Sequence, residues 1–418
     1  MTAAKRSITK PAAVGRLVGA VVVATVFLLA TIPLVLVIGA LRDPTKSLHG
    51  MLGSALWTTL GPHFVLLSLL ALCLGFYAFR RRPQKITVLA LVLAGCAGIG
   101  SAFITGTIIA ATNMAGGKIS LFSSLFLQSM TAGGPDETVT VATINGRPLQ
   151  AAIYRPALPQ GAAPVLMYVH GGGFMTGSVT ETDADLRWFA DMGWLVVSVD
   201  YRLFPEGAPT WDLAPADVAC GAAWLDANAE RLGGNIDRLA VLGDSAGGNL
   251  AINLAYAAAR SEVQSDCGEV PIPGAVVVQY PAVDPLAIYE HGFPVRGFEP
   301  HMLVTGYLGG SPQALPERVR AVSSFTYVHD RAPPTLILSP AKDGLVPAWS
   351  VIRFADHAQQ AGVDMELVRI PFANHVYNQI AANSLGNQAR RSITLRYLTE
   401  RGLAPNQAQQ FVPAALGW

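Results

Sequence analysis

The sequence predicts an α/β architecture, a mostly parallel sheet with helices on both faces, preceded by a helical region built to cross a membrane. Three observations predict it. Three apolar runs of bilayer-spanning length fill residues 1–112. Beyond residue 136, short apolar runs alternate with helical patterns, the order that gives parallel strands joined by crossover helices. The apolar run Leu239-Ala240-Val241-Leu242 stops in Gly243-Asp244-Ser245-Ala246-Gly247 before an Ala-rich helical pattern, which is the layout of a strand, a sharp turn and a helix.

Charged residues make up 14% of the 418 residues and mean hydropathy is +0.38, against roughly 25% charged in an ordinary soluble chain. The deficit sits at the front. Residues 1–112 hold ten Lys and Arg and one acid, Asp43, a net of +9, so the remaining residues carry −8. The basic residues lie in short clusters between apolar runs and make no basic face, which excludes a nucleic-acid partner. Spans are expected over about 17–41, 57–79 and 86–112, each able to supply the ~20 residues a bilayer requires. Pro33, Gly75, Gly95 and Gly98 are tolerated better there than in soluble helices. The small residues Gly95, Gly98, Gly100 and Ala102 suit close helix packing. Lys5, Arg6, Lys10 and Arg16 also resemble the basic start of a signal peptide, but the apolar core is too long for one and two further runs follow.

Orientation follows from the basic residues. The N-terminus holds four, and the second connection holds Arg80, Arg81, Arg82 and Lys85, whereas the first holds Arg42 and Lys46 beside Asp43. Placing the richer segments inside puts everything after residue 112 on the outer side of a multi-pass cell (inner) membrane protein. Residues 113–135 carry Ile119, Leu121, Phe122, Leu125, Phe126, Leu127 and Met130, the makings of an amphipathic helix. It would lie on the membrane surface or cover the mouth of the domain that follows, and both readings stay open. Cys220 and Cys267 fall in the outer domain, where a bridge is permitted, but their spacing alone does not pair them.

The domain from residue 136 to 418 begins with a hairpin, strands 138–144 and 149–154 around Asn145-Gly146. Further strands are expected at 164–169, 194–199, 239–242, 274–279, 335–339 and 365–370. Helices are expected at 182–191, 214–231, 246–260, 350–361 and 383–399. Ligands in such sheets bind at the carboxyl ends of the strands, and three strand-end loops carry chemistry in addition to the turn at Ser245.

In that turn, Gly243 and Gly247 let the chain bend sharply, and Ser245 is held at the apex before a helix N-terminus. The first loop, His170-Gly171-Gly172-Gly173-Phe174, lets backbone N–H groups converge on a developing oxyanion. We therefore expect Gly171, Gly172 and the N–H of Ala246 to form an oxyanion hole, with His170 a structural hydrogen-bonder. The second loop places Asp343 to orient an imidazole. The third places His375 to take the Ser245 proton and hand it to a leaving group. His49 and His63 lie in the membrane region, and His291, His301, His329 and His357 lack a strand-end position. This chemistry needs no cofactor, and no Cys or His spacing typical of a metal site occurs.

Together His170-Gly171-Gly172-Gly173, Asp200-Tyr201-Arg202-Leu203-Phe204-Pro205-Glu206 and Gly243-Asp244-Ser245-Ala246-Gly247-Gly248-Asn249 resemble the α/β-hydrolases of the hormone-sensitive-lipase-like group, near bacterial acetyl esterases and carboxylesterases. The resemblance covers residues 137–400 and implies an α/β-hydrolase fold with a helical cap, here at about 284–328. It implies that Arg202 and Glu206 hold loops beside the site. Phe204 stands where the family often has Ala, and Ala341-Lys342-Asp343-Gly344-Leu345 stands where many members carry Asp-Pro-Leu-x-Asp.

The expected function is a membrane-anchored serine carboxylester hydrolase acting on a small-molecule ester or a lipid through a Ser245–His375–Asp343 triad and an acyl-enzyme. Phe174 and the cap residues Phe298, Met302 and Tyr307, with Phe293, Leu303 and Leu308, would supply an apolar substrate wall. Amidases, lipid deacylases and acyltransferases share this constellation, and an inert hydrolase-like domain binding a ligand beside the membrane is the reading from another class. Protein partners are not legible in the sequence.

Overall fold

The computed structural model describes residues 10–144, 146–157, 161–204, 208–263 and 265–409. The N-terminal region consists of α1 (Lys10–Ala40), a short α2 (Leu48–Ala55), α3 (Trp57–Arg81) and α4 (Lys85–Met114). Three stretches, Val14–Ala40, Trp57–Arg81 and Lys85–Met114, are long and apolar enough to cross a bilayer. The apolar run from residue 51 is thus divided. Its first turns fold as α2, capped by the Ser47 hydroxyl, which accepts from Gly50 N–H. Of the expected small-residue face, Gly100 makes the close approach: a Cβ there would stand 2.7 Å from Val37 Cγ1, while nothing lies within 4 Å at Gly95.

The two ends of this bundle differ. At one end, Arg16, Arg81 and Arg82 line a common groove. At the other, Ala40, Trp57, Phe64, Ile104 and Ile108 pack with Leu385 of the catalytic domain. Running 25 residues, α3 separates the two by roughly 37 Å at 1.5 Å per residue.

Residues 113–135 do not form the expected amphipathic helix. Apart from the last turn of α4, they run as turns with one 3₁₀ turn at Ser123–Leu125. Polar side chains of the following domain capture this backbone instead: Gln388 Oε1 accepts from Ser120 N–H at 2.6 Å, and the Asn383 amide donates to the Ser123 and Phe126 carbonyls. Phe122 and Phe126 remain exposed.

The catalytic domain is an eight-stranded sheet in the order β1-β2-β4-β3-β5-β6-β7-β8. Its strands are β1 (Glu137–Ile144), β2 (Arg147–Tyr154), β3 (Ala163–Val169), β4 (Leu195–Val199), β5 (Gly234–Asp244), β6 (Ala275–Gln279), β7 (Thr335–Pro340) and β8 (Met365–Ile370). The hairpin β1–β2 and the β2–β4 pair are antiparallel, and the remaining pairs are parallel. The central strands are apolar on both faces because helices cover both.

The covering helices are α5 (Asp183–Asp191), α6 (Leu213–Asn228), α7 (Ala246–Ala258), α11 (Ala348–Gln360) and α12 (Leu385–Glu400), and a short α13 (Asn406–Gln409) follows. Buried on all sides, α7 lies on the face of Val241 and Val276, whereas the other face packs Leu242, Val277 and Tyr397. Each fully buried Val, Leu or Phe contributes about 1.5–3 kcal/mol. Between β6 and β7 a cap is built from α8 (Pro285–His291), α9 (Pro300–Leu308) and α10 (Pro316–Val322). A disulfide joins Cys220 on α6 to Cys267, the pairing that sequence spacing left open.

Candidate active site

Ser245 occupies the single residue between β5 and α7, with φ 54° and ψ −114°. A residue with a Cβ is strained there, and the surroundings hold it in place. Its N–H donates to Gln279 O at 2.9 Å, and its carbonyl accepts from the N–H groups of Asn249 and Ala282, both at 3.1 Å. The flanking glycines are required by close approach: a Cβ on Gly243 would stand 2.4 Å from Gly247 O, and one on Gly247 2.2 Å from Val169 O. The hydroxyl is thus presented at the mouth of α7, where Ala246 opens the helix with its N–H outside the intrahelical ladder.

The three loops meet at this point. Ser245 Oγ lies 3.0 Å from His375 Nε2, and His375 Nδ1 lies 2.8 Å from Asp343 Oδ2. Asp343 is itself fixed, because its other oxygen accepts from the N–H groups of Leu345 and Val346, both at 2.9 Å. With Nδ1–H donating to the carboxylate, Nε2 is left as the acceptor for the serine proton.

The glycine loop lies beside Ser245. Gly172 has φ +101°, and a Cβ there would stand 1.9 Å from Thr176 O, so no other residue fits. Tyr201 OH lies 2.9 and 3.0 Å from the carbonyls of His170 and Gly171 and shares its one proton between them, fixing the loop backbone. Burial pushes the Tyr201 phenol well above its ordinary value and keeps it a donor. His170 is fully buried, stacked on Tyr201, with Nδ1 2.9 Å from Gly171 O. Arg202 reaches back to Asp217 of α6 at 2.7 and 2.8 Å, and Glu206 lies outside the described residues.

Beneath the turn runs a buried ionic network that the sequence did not reveal. Arg390 of α12 pairs with Asp185 and with Asp244, the residue before Ser245. Tyr168 OH and Gln379 Nε2 each donate to Asp244 Oδ2 at 3.2 Å. Burial raises the Asp244 pKa above the ordinary carboxyl value, and Arg390 opposes the shift. These partners come from distant elements, and only the contacts unite them.

The chain is similar to known esterases. A BD-FAE family model matches residues 151–357. The chain is 30% identical over 271 residues to an ethyl acetate hydrolase of Pseudomonas putida, covering 61% of this chain and 80% of that protein. The chain belongs to the α/β-hydrolase carboxylesterases of the hormone-sensitive-lipase-like group. The esterase LipQ of Mycobacterium tuberculosis is 28% identical over 232 residues, with 53% of its length covered. A thermophilic esterase structure from Thermogutta terrifontis superposes with a TM-score of 0.55 at 22% identity, covering 67% of this chain and 96% of that one.

In this esterase two cavities meet at Ser245. The outer one, ≈ 380 Å³, is lined by His375, Gly171, Gly172 and Phe298, and also by Met51 and Ala55 of α2. The inner one, ≈ 30 Å³, is closed by Phe174, Ile288, Leu303 and Tyr307 and reaches Ala246. Phe174 and Tyr307 stack with ring centroids 3.7 Å apart. Met302 does not belong to either wall: it is exposed on α9, the helix that directs Leu303 and Tyr307 inward. Leu303 lies on the wall as expected, whereas Phe293 and Leu308 line neither cavity; Met51, Ala55 and Ile288 carry no sequence signal for this role, because only the tertiary fold brings them to the serine.

Proposed function

We propose that this carboxylesterase is a membrane-anchored serine hydrolase with Ser245, His375 and Asp343 as its triad. The observation that carries the reading is His375, held between the Ser245 hydroxyl at 3.0 Å and the Asp343 carboxylate at 2.8 Å. Ser245 Oγ attacks the ester carbonyl as Nε2 takes its proton. The carbonyl oxygen becomes an oxyanion facing the N–H groups of Gly171, Gly172 and Ala246, each such donor worth roughly 2.7–4 kcal/mol in related chemistry. Collapse breaks the bond to the alcohol oxygen, which receives the proton from His375. Water, deprotonated by His375, then releases the acid from the acyl-serine.

The basic ends Arg16, Arg81 and Arg82 lie away from the catalytic domain, which supports a cytoplasmic position for those ends and an outer position for the esterase. The Cys220–Cys267 bridge supports the same side, since disulfides persist in oxidising compartments. The name of one relative, ethyl acetate hydrolase, points to a small carboxylic ester.

The test is hydrolysis of aryl esters of rising acyl length by the full chain in detergent. We expect the activity to be greatest with the shortest acyl groups and to vanish in Ser245→Ala. Activity retained by that variant would refute the assignment.

A further inference from the structure

We infer that the alcohol half of the substrate is a large apolar group resident in the bilayer, seated against the membrane-region helix α2. This rests on the triad proposed above. The leaving oxygen must take its proton from His375, so the alcohol occupies the cavity His375 lines. That is the outer cavity, about 380 Å³, and not the inner one of about 30 Å³, which His375 does not line. The acyl group therefore points into the small pocket, and the bulk of the substrate lies on the alcohol side.

The wall of the alcohol side comes partly from outside the hydrolase domain. Met51 and Ala55 of α2 line it, together with Val295 and Phe298 of the cap. Helix α2 is held tightly to the end of a membrane helix, since a Cβ on Gly53 would stand 2.3 Å from the Gly39 carbonyl carbon of α1. The α1–α2 connection and α2 itself are also tied to the catalytic loops. Lys342 Nζ donates to Arg42 O at 3.1 Å, and a Cβ on Gly344 would stand 2.4 Å from Met51 Sδ. These two residues flank Asp343, in the segment that departs from the family pattern.

The mouth thus opens where the membrane helices end. Val376 and Phe298, which line the cavity, are exposed, and so are Leu48, Leu52 and Ile380, which neighbour its lining residues Met51, Ala55 and Gln379 along α2 and the His375 loop. A soluble alcohol would gain little from such a rim. A lipid-borne one reaches the serine by moving along it, with its apolar part still out of water.

The experiment uses the full chain in phosphatidylcholine nanodiscs with two acetate esters, soluble ethyl acetate and bilayer-borne hexadecyl acetate. Rates are expressed per site titrated with a small alkyl fluorophosphonate, so that misfolded protein does not count. Ala55→Trp, which fills the α2 side of the cavity, is expected to lower kcat/KM for hexadecyl acetate at least about tenfold more than for ethyl acetate. If Ala55→Trp has no titratable sites, Phe298→Ala in the cap decides. It should raise the KM for hexadecyl acetate at least about fivefold more than that for ethyl acetate. Equal effects on both esters, or a wild type that cleaves ethyl acetate but not hexadecyl acetate, overturns the inference. Failure to cleave either ester, or cleavage that survives Ser245→Ala, refutes the triad reading beneath it.

Discussion

Asn374 Nδ2 stands 2.8 Å from Ser54 Oγ, joining the loop of the proposed general base to α2 of the N-terminal helical region. The same side chain accepts through Oδ1 from the N–H groups of His375, at 2.7 Å, and Gly344, at 2.9 Å. One amide thus sets the spacing of the Asp343 loop, the His375 loop and α2. Misplacing a catalytic group by about 1 Å costs on the order of 100-fold in rate. We predict that Asn374→Ala lowers kcat roughly 10–100-fold with KM nearly unchanged. Steady-state kinetics of the full chain check the split, and a loss confined to KM would contradict a positioning role.

In the proposed triad, Asp343, 2.8 Å from His375 Nδ1, holds the imidazole in the tautomer that leaves Nε2 free for Ser245. Asp343→Asn should therefore keep the fold and lower kcat by about 10⁴. Stopped-flow or long-time-course hydrolysis, beside a thermal melt matching the wild type, measures this.

The Phe174–Tyr307 stack closes the inner cavity. Tyr307→Ala opens it and should raise the ratio of hexanoate to acetate ester turnover about tenfold, with the acetate rate reduced. A panel of p-nitrophenyl esters reads the ratio.

Arg390 is fully buried between Asp185 and Asp244. Removing one partner of a buried pair strands the others, so Arg390→Leu should destabilise the domain by about 3–5 kcal/mol. Chemical denaturation followed by tryptophan fluorescence gives the value, and loss of activity should follow loss of fold.

The Cys220–Cys267 bridge closes a loop with a sequence separation of 47. Replacing both residues by Ser should cost about 2–4 kcal/mol. Alkylation of whole cells before reduction should leave this pair unmodified, which also reports the compartment that the catalytic domain faces.

Much of this architecture was legible in the sequence because its signals are local. The Gly-rich turns around Ser245 and after His170 are forced by backbone approaches that exclude a side chain, and such constraints appear as glycines at fixed spacing. Alternating strand and helix patterns gave the sheet, with most helix ends shifted by one to three residues. What was not legible depends on contacts between distant segments. Residues 113–135 have the composition of an amphipathic helix, yet Gln388 and Asn383 bond their backbone in turns. Arg390 looks like any helical arginine until α12 is laid beside Asp244. Nothing in the run from Met51 to Ala55 marks it as a wall of the site, since its apolar character is equally that of a membrane span.

The central claim is that Ser245 is the nucleophile, and its most direct test is the site of covalent capture. The full chain is reacted with an alkyl fluorophosphonate, digested and analysed by peptide mass spectrometry, beside Ser245→Ala and His375→Ala. The account predicts one adduct, on Ser245, forming in step with loss of esterase activity. It should be absent in Ser245→Ala and form at least about 10³-fold more slowly in His375→Ala. An adduct on another residue that tracks the loss of activity, or full activity with Ser245 modified, would contradict it.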